Sequence, residues 1–198
     1  MTFPNQLSVL RMLLSPLFLF LFLSQDDSMK KLSVLIYFIA TLTDWYDGWH
    51  ARKFGVITRT GIFLDPLADK ILTSAAFLGF YKVGIMPFWM IAIIIIRDIV
   101  ITLLRSVNEA KGITIKTSWI AKIKTFIQMT FIFLILVLYI SRFFNISYGL
   151  KDDIVLYLNS GLNYWLMLLV TIITLYSGIS YFFERKIEML DKNNKTVK

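Results

Sequence analysis

The chain of 198 residues contains no cysteine and a single histidine, His50. Without thiols there is no disulfide, no attached haem, and no cysteine-ligated zinc or iron–sulfur centre. One histidine cannot build a histidine metal site. Charge is scarce as well: 17% of residues are Asp, Glu, Lys or Arg, against about a quarter in soluble domains. Hydrophobic residues instead make up 57%, and mean hydropathy is +0.68. These values exclude an ordinary cytosolic domain and a disordered chain. Apolar runs of about 20 residues recur along the sequence, the pattern of an all-α integral membrane protein. At that length per span, one domain has room for about six helices. The N-terminus shows no basic leader and no small-residue cleavage site, so its first run is expected to be a retained span.

Six spans can be drawn, at 4–24, 32–52, 61–82, 85–108, 119–144 and 159–184. Turn and charge signals separate them: Gln25 to Ser28, Lys53 to Gly55, Lys82 to Gly84 with Pro87, Lys111-Gly112, and Asn145 through Asn159. Residues 1–184 would form the six-helix domain and 185–198 a basic cytoplasmic tail. Net charge is +8. No soluble basic module is present, so the excess points to membrane lipids and anionic substrates, not nucleic acid. Thirteen of the 21 basic residues fall in loop 2–3, in the stretch from Arg105 to Lys124, or in the tail; five lie in the opposite loops. That bias puts both termini in the cytoplasm, as an even number of spans requires.

The informative residues are acids inside apolar segments: Asp44, Asp47, Asp65, Asp69 and Asp98. A carboxylate at mid-membrane costs about 2.5–3.5 kcal/mol on insertion scales, so these must face the bundle interior or a wet cavity. Asp44 and Asp47 are i, i+3 on the second helix; Asp65 and Asp69 are i, i+4 on the third. Asp44 lies roughly two turns inside the cytoplasmic end near Arg52. The next helix starts near Gly61 and returns, so a short hairpin brings four carboxylates to similar depth. Close carboxylates repel unless protonated or bound to cations. Oxygen ligands without His or Cys suit Mg²⁺, Mn²⁺ or Ca²⁺. Two readings stand at this point: a two-cation site for phosphoryl transfer, or a proton or cation relay in a small transporter. Gly48, Gly61, Arg52, Thr58 and Arg59 around the acids add room and charge for a diphosphate.

Read in full, the stretch is Asp44-x-x-Asp47-Gly48-x-x-Ala51-Arg52, eight residues, then Gly61-x-x-x-Asp65-x-x-x-Asp69. It resembles the complete signature of the CDP-alcohol phosphotransferases, with all eight fixed positions matched. The resemblance implies six transmembrane helices with the active site on the cytoplasmic side, a homodimer, and transfer of a substituted phosphate from a CDP-linked donor to an alcohol. It further implies that Asp44, Asp47, Asp65 and Asp69 bind two divalent cations, Mg²⁺ or Mn²⁺, and that Asp69 is the general base. Gly48, Arg52 and Thr58 would contact the CDP part of the donor.

The opening Pro4-Asn5-Gln6-Leu7-Ser8 through Arg11 is similar to that of a bacterial branch of the family, the phosphatidylglycerophosphate synthases of the inner membrane, and by that likeness Asn5 and Ser8 join the donor contacts. Arg97-Asp98 through Leu104-Arg105 resembles the branch's Arg-Glu…Leu-Arg stretch, with the shorter Asp98 replacing glutamate. Trp119-x-x-Lys122-x-Lys124-Thr125-x-x-Gln128 resembles another of its runs. The branch implies CDP-diacylglycerol as donor and sn-glycerol 3-phosphate as acceptor. Arg97, Arg105, Lys122 and Lys124, near the cytoplasmic ends of the fourth and fifth helices, suit the acceptor's phosphate. Topology alone is the competing account of these bases. Another acceptor, such as inositol phosphate, would need the same chemistry. Phe18, Phe20 and Phe22 read as packing or lipid-facing surface.

Overall fold

A computed structural model describes residues 3–54, 59–110, 119–144 and 148–196 of the chain. The described residues are helical, with no strand among them. Seven helices follow in order: α1 Phe3–Phe22, α2 Asp27–Phe54, α3 Arg59–Lys82, α4 Phe88–Ala110, α5 Trp119–Ser141, α6 Tyr148–Leu158 and α7 Gly161–Thr196. Six match the expected spans to within a few residues at most ends. The short α6 lies where the sequence signalled only a connection. Its 11 residues are too few to cross a bilayer, and it tucks Leu158 into the core. α7 also runs beyond the expected end, continuing as helix through the basic tail to Thr196.

The breaks have local causes. Asp26 caps α2, its Oδ1 accepting the Ser28 amide at 2.8 Å. After α3, Gly84 takes φ +78°, and the Ile85 amide returns to the Phe80 carbonyl at 2.9 Å while the Gly84 amide reaches Tyr81 at 3.0 Å. This pair of bonds is the Schellman stop; Pro87 then leads into α4. Ser160 caps α7 through the Asn163 amide.

α1 is the hub of the packing. It lies against both α2 and α3, which make little contact with each other. α3 leads on to α4, and α4 to α7, with α5 and α6 closing the other side. The core is built on aromatic rings from four helices. Phe18 packs on Tyr37 at 5.1 Å and Phe22 on Tyr139 at 5.0 Å, ring centre to ring centre. Phe18 and Phe22 are fully buried, whereas Phe20 between them is exposed.

Three helices are long and apolar enough to cross a membrane, over Asn5–Phe22, Lys122–Ser141 and Gly161–Phe182, among the described residues. The chain is therefore a membrane protein by its helices as well as by its composition. α2, α3 and α4 occupy the positions of the other expected spans but carry charge within them: Asp44 and Asp47, then Asp65, Asp69 and Lys70, then Arg97 and Asp98.

Phe22 approaches α3 only because residue 79 is glycine: a Cβ there would lie 2.9 Å from the Phe22 ring. That ring is held by Phe80 and Tyr139 and cannot swing aside. Gly79→Ala should lower stability by about 1–3 kcal/mol, seen as a lower midpoint of thermal unfolding in detergent. Trimming the ring with Phe22→Leu should make the pair less than additive. Unchanged unfolding of Gly79→Ala would contradict this packing.

Candidate active site

Ser8 and Arg11 are i, i+3 on α1 and share the face turned to α2 and α3. Arg11 is fully buried. Its NH1 donates to Asp44 Oδ1 and its NH2 to Asp47 Oδ2, each at 2.5 Å. Ser8 donates its hydroxyl to Asp65 Oδ1 on α3. Asp69, one turn on, accepts from the neighbouring Lys70 at 2.8 Å. The carboxylates of α2 and α3 thus meet across α1. Asp44 interacts electrostatically with both Asp65 and Asp69, and Asp47 with Asp65.

Among the described residues, each of the four carboxylates is engaged by another side chain through one oxygen, and no partner is seen at the second. The spare donors are all hard oxygens, which fit a divalent cation such as Mg²⁺ or Mn²⁺. Among the described residues no three acidic or imidazole groups gather within one ion's reach. Two cations of the protein's own, Arg11 and Lys70, offset part of the set's negative charge.

A second ionic cluster adjoins the first. Asp98 on α4 is 2% exposed. It accepts from Lys124 of α5 through Oδ1, from Arg97 NH1 at 3.0 Å and from Gln128 Nε2 at 3.1 Å. The shorter acid pairs with Arg97 all the same. Lys70 lies 3.9 Å from Asp98 Oδ2, so its ammonium spans the two clusters. Three cations surround one carboxylate.

The sequence candidates divide accordingly. Asp44, Asp47, Asp65, Asp69 and Ser8 are brought together, with buried Asn5 one turn before Ser8. Arg97 and Lys124 meet at Asp98. Arg105 is exposed two turns further along α4, and Lys122 is exposed with its ammonium 5.4 Å from the Trp119 ring centre. Gly48 and Arg52 fall on α2; Thr58 lies outside the described residues. The structure joins to these clusters four residues with no role among the sequence expectations: Arg11, Lys70, Gln128 and Ser177. Arg11 and Lys70 carried a signal, since a lone cation in an apolar run needs an acid partner. Ser177 carried none.

The family model described as CDP-alcohol phosphatidyltransferase matches residues 1–176. The CDP-diacylglycerol–glycerol-3-phosphate 3-phosphatidyltransferase of Bacillus subtilis is 31% identical over 191 residues, covering 90% of this chain and 92% of that one. The protein of the same name from Rickettsia typhi is 31% identical over 181 residues, covering 90% and 94%. That from Salmonella paratyphi A is 37% identical over 131 residues, covering 64% and 71%.

Removing one partner of a buried ion pair costs about 3–5 kcal/mol, because the other charge is left uncompensated. The Asp47 arm of Arg11 is of that kind; the Asp44 arm, with a side chain 45% exposed, contributes less. Arg11→Ala should therefore destabilise the protein by about 3–5 kcal/mol when unfolding is followed in EDTA. Mg²⁺ should recover part of that loss. Wild-type stability of the variant in EDTA would remove Arg11 as the brace of α2.

Proposed function

The chain belongs to the CDP-alcohol phosphatidyltransferase family, and we propose that it transfers a phosphatidyl group from CDP-diacylglycerol to sn-glycerol 3-phosphate, giving phosphatidylglycerophosphate and CMP. The observation that carries this reading is the junction at Lys70. Its ammonium touches Asp69 and Asp98 at once, so an acid that can take a proton adjoins a cluster rich in cations.

Asp44, Asp47, Asp65 and Asp69 would hold two divalent cations, Mg²⁺ or Mn²⁺. When bound, these ions offset the diphosphate charge and make CMP a better leaving group. Asn5, Ser8, Gly48, Arg52 and Thr58 hold the CDP part of the donor, while its acyl chains stay in lipid. Asp69 takes the proton from the acceptor's 1-hydroxyl. The new bond forms from that oxygen to the β-phosphorus, and the bond from phosphorus to CMP breaks in line. Arg97, Lys124, Arg105 and Lys122 receive the acceptor's phosphate. Three cations against Asp98 leave an excess of positive charge, which a phosphate dianion offsets.

All six long helices span the membrane in this reading. The charges of α2, α3 and α4 are satisfied inside the bundle, which is the arrangement that lets charged helices cross lipid. Residues 1–184 form the catalytic domain, both termini lie in the cytoplasm of a bacterial inner membrane, and the protein works as a homodimer.

Purified protein given CDP-diacylglycerol, Mg²⁺ and a panel of acceptors should release CMP with sn-glycerol 3-phosphate and far less with serine or inositol phosphate. EDTA should abolish release reversibly, and Asp65→Asn should abolish it while the protein still inserts. CMP release in EDTA at the full rate would overturn the cation site. Preference for another acceptor would keep the chemistry and replace the substrate.

A further inference from the structure

Arg97 does not stand on α4 alone. Its guanidinium crosses to α7, where NH2 donates to Ser177 Oγ at 2.9 Å, while NH1 turns to Asp98 Oδ1 at 3.0 Å. The Ser177 hydroxyl donates its own proton to the Thr174 carbonyl at 3.0 Å. That commitment leaves the Ser177 oxygen as acceptor, so the contact with Arg97 has a fixed sense. Ser177 is 2% exposed, and no water is needed to complete it.

The next residue is Gly178, also buried. A Cβ at this position would lie 3.1 Å from Arg97 Cγ and 3.3 Å from its Nε. Ordinary carbon contacts are about 3.5–4.0 Å, so even a methyl group would push the stem away. The stem has nowhere easy to go, because the guanidinium at its far end is held in two directions. Arg97 therefore lies along bare backbone of α7, and the length of side chain that remains past that contact decides where its charge is delivered.

We propose that Ser177 and Gly178 of α7 are positioning residues that set where the Arg97 guanidinium meets a phosphate monoester on the acceptor. The proposal rests on the reading of Arg97 as an acceptor contact. It gives a part in substrate selection to a helix whose sequence shows no motif. It also separates two uses of the glycine. A glycine that served only the close crossing of α4 and α7 would affect both substrates alike, whereas one that places Arg97 affects the acceptor alone.

The test measures KM for sn-glycerol 3-phosphate and for CDP-diacylglycerol with Mg²⁺ on Gly178→Ala, Ser177→Ala and Arg97→Lys. Losing a bond to a charged group is worth roughly tenfold or more. Gly178→Ala and Ser177→Ala should each raise the acceptor KM by about tenfold and leave the donor KM within about twofold. Should Gly178→Ala fail to fold, Ser177→Ala decides, since it removes one oxygen and adds no bulk. A rise of both KM values together would overturn the proposal and leave α7 a packing element. Arg97→Lys distinguishes the two layers. If it raises the acceptor KM while both α7 variants behave as wild type, the positioning role is overturned and the acceptor reading stands. If Arg97→Lys leaves the acceptor KM unchanged, the reading of Arg97 fails and the proposal with it.

Discussion

A carboxylate among apolar helices costs several kcal/mol unless a cation meets it, and that cost organises this molecule. Arg11 answers Asp44 and Asp47, Lys70 answers Asp69, and Lys124 with Arg97 answers Asp98. The Arg11 and Lys124 pairs join residues of different helices that packing must bring to one depth, whereas Lys70–Asp69 and Arg97–Asp98 are chain neighbours. α1 supplies the first of these bonds, which is why α2 and α3 are registered through α1 more than through each other. The aromatic contacts of Phe18 and Phe22 fix the same helix at its other end. Apolar packing holds the bundle together; the ion pairs determine which faces turn inward.

The two ionic clusters differ in what they leave over. Around Asp44, Asp47, Asp65 and Asp69, negative charge exceeds positive among the described residues, and a cation is what would balance it. Around Asp98, positive charge exceeds negative, and an anion is what would balance it. Lys70 stands at the boundary. In the proposed reaction, the donor's diphosphate with its cations belongs to the first cluster and the acceptor's phosphate to the second. The proton-accepting Asp69 then lies between the two substrates.

Much of this was legible before any coordinates. Acids at i, i+3 and i, i+4 in apolar runs could only face inward, and their spacing disclosed the signature. The six long helices followed from run length. What stayed hidden has physical reasons. α6 is only 11 residues long, with Lys151, Asp152 and Asp153 in its middle, too short and too charged to stand out as a span. Arg11 signalled that it needs an acid partner, but which acids it meets depends on how α1 packs against α2, and there it is fully buried. Gly178 matters for the Cβ it lacks and Ser177 for the hydrogen bond it accepts from Arg97, and neither feature has a sequence period. Position alone expressed the grouping of Arg97, Arg105, Lys122 and Lys124; the structure separates half-buried Arg97 and buried Lys124, tied through Asp98, from the exposed pair.

In the proposed reaction Asp69 accepts the proton, and one preparation tests it. Asp69→Asn keeps an oxygen of similar shape but loses basicity. Donor binding with Mg²⁺ and single-turnover transfer should be measured on the same purified sample. CDP-diacylglycerol should bind near its normal affinity. Transfer to sn-glycerol 3-phosphate should fall by about 10⁴-fold, the upper end of what general base catalysis supplies. Near-normal transfer by Asp69→Asn would contradict the account and move the base elsewhere.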